Sequence, residues 1–233
     1  MPDTSKVLVW DKEGERTFET GVKKCALYVR ANDGSYPQGV AWSGITGITL
    51  TPEGAEATEL YADNIKYLNL IATEDKKGTI KCYTYPDGWE ACNGERKITG
   101  VLGLRVAQQN RATFGFTCRT LIGNDTEGTD YGYKIYIVYG ATASPSDEEY
   151  QTVNDNPNAI EFSYEFNTVP VEVGHNLKPC AIFEILSTDF STEQEKEKLT
   201  ALENVLYGTD PEGQTEGTAP RLPSISEIID MLD

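Results

Sequence analysis

Polar and apolar residues alternate with a period of two over much of this chain, most clearly between Arg111 and Val173. Thr113-Phe114-Gly115-Phe116-Thr117-Cys118 alternates, as does Ile160-Glu161-Phe162-Ser163-Tyr164-Glu165-Phe166. Between them Tyr133–Tyr139 is aromatic and β-branched almost throughout. This period sends Ile160, Phe162, Tyr164 and Phe166 to one face of a strand and Glu161, Ser163 and Glu165 to the other. One face is then packed and the other solvated, as in an antiparallel sheet. The same signals predict strands over Val7–Trp10, Lys24–Arg30, Gly44–Leu50, Ile65–Ala72, Thr79–Tyr85, Val101–Ala107, Thr113–Arg119, Tyr133–Tyr139, Ala159–Val169 and Ala181–Leu186. Turn signals separate them at Asn32-Asp33-Gly34, Thr51-Pro52-Glu53-Gly54, Pro86-Asp87-Gly88 and Gly123-Asn124-Asp125. Many short strands joined by turns point to a sandwich or barrel.

Helical patterns are few. Ser144 can cap a short helix with Pro145 in the first position and Asp147, Glu148 and Glu149 at its positive end. After Leu186 the pattern changes period. Thr192 and Glu195 form a capping-box pair, Leu199, Leu202 and Leu206 share one helical face, and Gly208 supplies the stop. A polar linker, Thr209–Thr218, follows. Ser224 and Glu227 then open a second helix whose stripe is Ile225, Ile228, Ile229 and Leu232. So short a helix is unstable alone and must dock. The chain thus divides into a β domain over residues 1–186 and an acidic helix–linker–helix extension over residues 187–233.

Charge narrows the partners. Twenty Lys and Arg stand against 37 Asp and Glu, a formal net charge of −17. Phosphate backbones recruit cations, so stable nucleic-acid binding is disfavoured, and an anionic membrane surface repels the chain for the same reason. No run of about 18 apolar residues is present to span a bilayer. The stretch Met1–Lys6 opens no secretion signal. Residues 187–233 hold four Asp and seven Glu against two Lys and one Arg, so the extension is the more acidic part per residue.

Candidate chemistry is sparse. The five cysteines include no Cys-x-x-Cys pair and read as buried, reduced thiols, with a Cys82–Cys92 bridge the one local pairing. The single histidine, His175, lies in a turn-like loop with no nucleophile placed beside it. Glu161 and Glu165 are roughly 13 Å apart along a strand, outside both glycosidase separations. Asp125–Asp130 is acidic but fails the spacing of a calcium loop. No enzyme, metal or cofactor is expected. Thirteen tyrosines serve a sugar-binding platform or subunit contacts equally well.

The order of segments resembles the major tail proteins that build the tail tube of long-tailed bacteriophages. The resemblance rests on Leu50–Glu56, on Leu60-Tyr61-Ala62-Asp63-Asn64 leading into a strand, and on Gly78–Tyr85 with Pro86-Asp87-Gly88-Trp89. It continues through Phe114-Gly115-Phe116, the acidic tip, Tyr133–Tyr139, Ala143-Ser144-Pro145-Ser146 and Ala159–Val169. It implies a mainly β (α+β), tail-tube-like antiparallel sandwich or barrel with one short flanking helix and the C-terminal extension. It also implies six-membered rings stacked into a tube, contacts with a tape measure and other tail proteins, and DNA passing through without specific binding. The protein would be assembled in the host bacterial cytoplasm and end in the virion tail. On this reading Glu161, Ser163 and Glu165 line the lumen, the stretch from Ser35 to Asp63 makes ring-to-ring contacts, and the Ile225, Ile228, Ile229, Leu232 stripe docks on a β-core. The competing reading is a carbohydrate-binding or adhesin-type β-sandwich.

Overall fold

The computed structural model describes residues 7–54, 56–71, 74–150, 152, 159–211 and 216–233. The Met1–Lys6 segment, Ala55 of the Leu50–Glu56 motif, Ala72 at the end of a predicted strand, and positions 212–215 of the linker lie outside the described residues. The fold is mainly β with antiparallel pairing throughout. Its strands are β1 (Thr17–Val29), β2 (Gly39–Ala41), β3 (Ile45–Gly54), β4 (Ala57–Ala62), β5 (Ile65–Ile71), β6 (Glu74–Cys82), β7 (Arg96–Lys97), β8 (Arg105–Val106), β9 (Phe114–Asn124), β10 (Gly128–Ala143), β11 (Phe162–Thr168) and β12 (Ile182–Leu186). The helices are α1 (Trp89–Asn93), α2 (Glu193–Tyr207) and α3 (Ile225–Leu232).

The main sheet runs β2-β1-β9-β10-β11-β6-β3, with β12 also paired to β10, and among the described residues it does not close into a barrel. It bends at a bulge in β10. Val138 pairs with Phe116 and Ala141 with Phe114, so β10 spends one residue more than β9 across this interval. An extra residue inverts which side chains face which way. Tyr136 and Val138 face the inner core before the bulge, and Ala141 and Ala143 face it afterwards. Gly140 sits in the bulge at φ 61°, and a Cβ there would lie 2.5 Å from the Val169 carbonyl oxygen. The bulge also hands one edge of β10 from β12 (Lys134–Val138) to β11 (Ala141–Ala143).

The bent sheet encloses a core of Leu27, Ile80, Cys82, Phe114, Phe116, Val138, Tyr164 and Phe166. Gly78 lets Phe166 approach its backbone, since a Cβ would stand 2.6 Å from the ring. Helix α1 plugs this core with Trp89, whose ring meets Trp42 at 4.7 Å, Tyr164 at 4.9 Å and Phe114 at 5.0 Å. The opposite face of β1, β10 and β12 carries a second cluster covered by α2 and α3.

Several expectations change. Val7–Trp10 forms no strand and is exposed. Of Val101–Ala107 only Arg105–Val106 is paired, because Gly100 and Gly103 hold left-handed φ values of 83° and 74°. Ser144–Glu149 is not helical. There the Ser144 N–H donates to the Glu165 carbonyl at 2.8 Å, and the Glu165 N–H donates to Ser146 Oγ at 2.9 Å. The serines satisfy the backbone of β11 in place of a helix cap. The flanking helix forms instead as the five-residue α1, too short to leave a periodic signal. Thr51–Gly54 continues β3 opposite Glu74–Lys77, with Pro52 tolerated because β3 is an edge strand. Ile160 precedes β11 and is exposed, so the inward set reduces to Phe162, Tyr164 and Phe166.

Candidate assembly surfaces

The C-terminal extension builds its own site on the sheet. Thr192 caps α2, accepting from the Glu195 N–H at 3.3 Å, while Glu195 accepts from the Thr192 N–H at 2.8 Å. That start turns Leu199, Leu202 and Leu206 onto Ala26, Tyr28, Ile135, Ile137 and Tyr139. Ile225 and Ile228 of α3 are buried in the same cluster, and Ile229 and Leu232 pack at its margin. Polar bonds fix the register: Tyr28 donates to the Leu206 carbonyl at 2.6 Å and Tyr139 to the Pro223 carbonyl at 2.7 Å. Burial pushes both phenols well above the usual tyrosine range, so they stay protonated donors. The chain between the helices adds backbone bonds, from Gly39 N–H to the Pro220 carbonyl and from Leu222 N–H to the Tyr36 carbonyl. Arg119, buried in β9, pairs with Glu203 of α2, with its guanidinium 3.6 Å from the centre of the Tyr133 ring. All four stripe residues named from the sequence therefore meet the core of their own chain. Ser224 caps α3 as expected, but the Glu227 carboxylate turns to Arg221.

The predicted lumen residues fall on the outer face of the β11–β6–β3 half of the sheet. Ser163 stands opposite Lys81, Glu165 opposite Thr79, and Asn167 opposite Lys77. Glu161 lies just ahead of β11 and accepts from the Thr46 hydroxyl at 2.5 Å. The face is thus polar but mixed in sign. Lys77 is held above the usual lysine range, chiefly by its hydrogen bond with Glu53 and further by the charge of Glu165. Strand alternation gave the two carboxylates; only the pairing register brings the two lysines beside them.

Several apolar surfaces stay uncovered. The β4–β5 ribbon is a separate two-stranded sheet in which every described side chain is exposed. Its tip, Asp63-Asn64, has left-handed φ values of 51° and 65°, the geometry of a tight hairpin turn. Partners across a ladder share a face. Thr58 meets Leu70, Leu60 meets Leu68 and Ala62 meets Ile65, giving one apolar face. On the other face Glu59 meets Asn69 and Tyr61 meets Lys66, tied together by Glu59 with Tyr61 and Lys66, while Ala57 and Ile71 make its base apolar. The β7–β8 hairpin carries a second exposed set, Ile98, Val101, Leu102 and Leu104, with Leu102 wholly exposed. Leu8, Val9 and Trp10 form a third. The stretch Ser35–Asp63, expected to make ring contacts, thus resolves into β2, β3 and the first strand of this ribbon.

Reactive groups are turned to structural use. His175 is exposed in a turn at φ 49°. All five cysteines are free, and burial pushes Cys82 up to about 11 and Cys92 up to about 12, which suppresses their thiolates. In the acidic hairpin tip Asn124 Oδ1 accepts from the Glu127 N–H at 2.6 Å, and Asp125 accepts from the Gly14 N–H at 2.9 Å. Among the described residues no three potential ligands cluster for a metal, and no helix is long and apolar enough to cross a membrane. No protein-family model matches the chain, and no curated protein matches it.

Proposed function

We propose that the chain is a structural subunit of a tail tube: six copies close into a ring, and rings stack into a conduit for DNA. The observation that carries this reading is the main sheet's bare edges. Among the described residues strand β3 pairs only with β6, and Thr17–Lys23 of β1 pair only with β9. These two edges lie across a cleft of ≈ 480 Å³ lined by Val22, Ile48 and Leu50, without a ladder between them. An unpaired edge is a template for another chain, and closed symmetry is how identical subunits use such templates without runaway pairing.

The uncovered ribbon and hairpin fit the same purpose, since a two-stranded ribbon is marginal in water until something packs on it. The polar face bearing Ser163 and Glu165 lines the channel on this reading. Its mixed charge lets DNA slide without the adhesion of a basic wall. Tape-measure and other tail proteins are the remaining partners, and the site of action is the virion tail. Mass measurement and negative-stain microscopy across a wide concentration range test the proposal. Six-fold rings and tubes are expected, and a chain that remains monomeric at every concentration overturns it.

A further inference from the structure

Two of the uncovered apolar surfaces are complementary in charge as well as in character. Between Glu53 and Asp75, six carboxylates stand against one cation, Lys66. Between Glu95 and Arg111, four cations (Arg96, Lys97, Arg105 and Arg111) stand against one carboxylate, Glu95. In a chain of net charge −17 this second stretch is a basic island. Internal pairing uses part of each set: Glu59 holds Lys66, Glu53 holds Lys77, and Glu90 takes Arg105 and Lys97. Among the described residues Asp63, at the ribbon's tip, has no cation partner, and Arg96, at the base of the other hairpin, has no carboxylate partner. The ribbon is thus an acidic strip with one apolar face, and the β7–β8 hairpin is a basic loop with an apolar tip.

We infer that the ribbon of one copy docks its Leu60, Ile65, Leu68 and Leu70 face on the β7–β8 tip of the next copy. The inference rests on the self-assembly reading and names the two surfaces that meet. Like-with-like contact sets acid against acid or base against base, whereas ribbon against tip pairs opposite signs and steers the approach. The two surfaces differ, so the contact is heterologous. Each copy that offers its ribbon still has a free tip, and growth continues without closing. A stack of rings needs such a contact; a face that pairs only with itself ends after two.

Complementation between two variants tests this. Ile65→Asp places a charge in the ribbon face, with Leu70→Asp as a second ribbon variant, and Leu102→Asp does the same in the tip. All three side chains are at least half exposed, so far-UV circular dichroism and melting should match the parent chain. Each variant alone should need at least a tenfold higher concentration to stack. A 1:1 mixture of Ile65→Asp and Leu102→Asp should form pairs and stop, because one intact ribbon meets one intact tip. Stacking by Leu102→Asp alone means ribbon meets ribbon and overturns the inference, as does a mixture that stays unpaired. The mass of the pairing unit separates the two readings. Pairs of single chains keep this contact and overturn the ring, while rings indifferent to all three variants keep the ring and overturn this contact.

Discussion

Replacing Ile228 with alanine should unseat the last helix, and the size of the effect follows from its surroundings. All but 7% of Ile228 is withdrawn from solvent, in the cluster shared with Tyr36, Tyr139, Leu202 and Leu222. Truncating a buried isoleucine to alanine costs about 2–5 kcal/mol, the lower part applying where neighbours can collapse into the space. Helix α3 rests on one side only, so about 2–3 kcal/mol is the expected loss. For a chain of this length each kcal/mol moves the melting midpoint by about 2–4 °C, so Ile228→Ala should melt about 4–12 °C below the parent. Asp230→Ala, on the exposed side of the same helix, should leave the midpoint within about 1 °C. Differential scanning calorimetry on dilute, unassembled protein is the assay, because the docking lies within one chain. Should Ile228→Ala melt with Asp230→Ala, the helix is not seated on its own sheet. A deficit that appears only at assembling concentrations would mean that α3 docks on a neighbour.

Two further outcomes follow from the same geometry. Gly140→Ala should destabilise more than Gly103→Ala in thermal melts. Both positions carry left-handed strain of about 1–2 kcal/mol, but only Gly140 adds a collision, with the Val169 carbonyl. Equal shifts would show that the bulge relaxes freely. The Arg221 guanidinium, by its hydrogen bond and its charge, holds the Glu227 carboxyl below the usual glutamate range despite partial burial, with a smaller contribution from the Ser224 backbone N–H. A lowered carboxylate stabilises above its unfolded pKa of about 4.3 and loses that contribution as pH falls through the folded value, so Arg221→Gln should flatten the acid limb of the stability profile below about pH 4. More than a third of each side chain is exposed, so the difference should be no more than about 1 kcal/mol. An unchanged acid limb would remove this ion pair from the account.

What the sequence announced tracks how local each signal is. The α2 capping box is complete within four residues, and Leu199, Leu202 and Leu206 face the sheet as their spacing requires. Alternation in β9 and β11 put Phe114, Phe116, Tyr164 and Phe166 in the core. Where the outcome depended on a partner strand, the pattern fell short. Ser144-Pro145 has the local chemistry of a helix start, yet the unpaired backbone of β11 claims its serines. Pro52-Glu53-Gly54 reads as a turn but lies on an edge, where a missing N–H costs little. The ribbon's first strand carries no core face, so its Ala57–Ala62 stretch gives no burial signal at all. The candidate site was legible only by halves. Glu161 and Glu165 came from alternation, whereas Lys77 and Lys81 beside them depend on the β6–β11 register, which no single segment encodes.

The central claim, that this sheet is a wall segment of a closed, stacked tube, is tested most directly by a three-dimensional reconstruction of the assembled protein. Six copies per ring are expected, with Glu165 and Lys81 facing the channel and the β3 edge joined to a neighbouring chain. An assembly whose β3 edge stays bare, or whose Glu165 face lies on the outer wall, would contradict it.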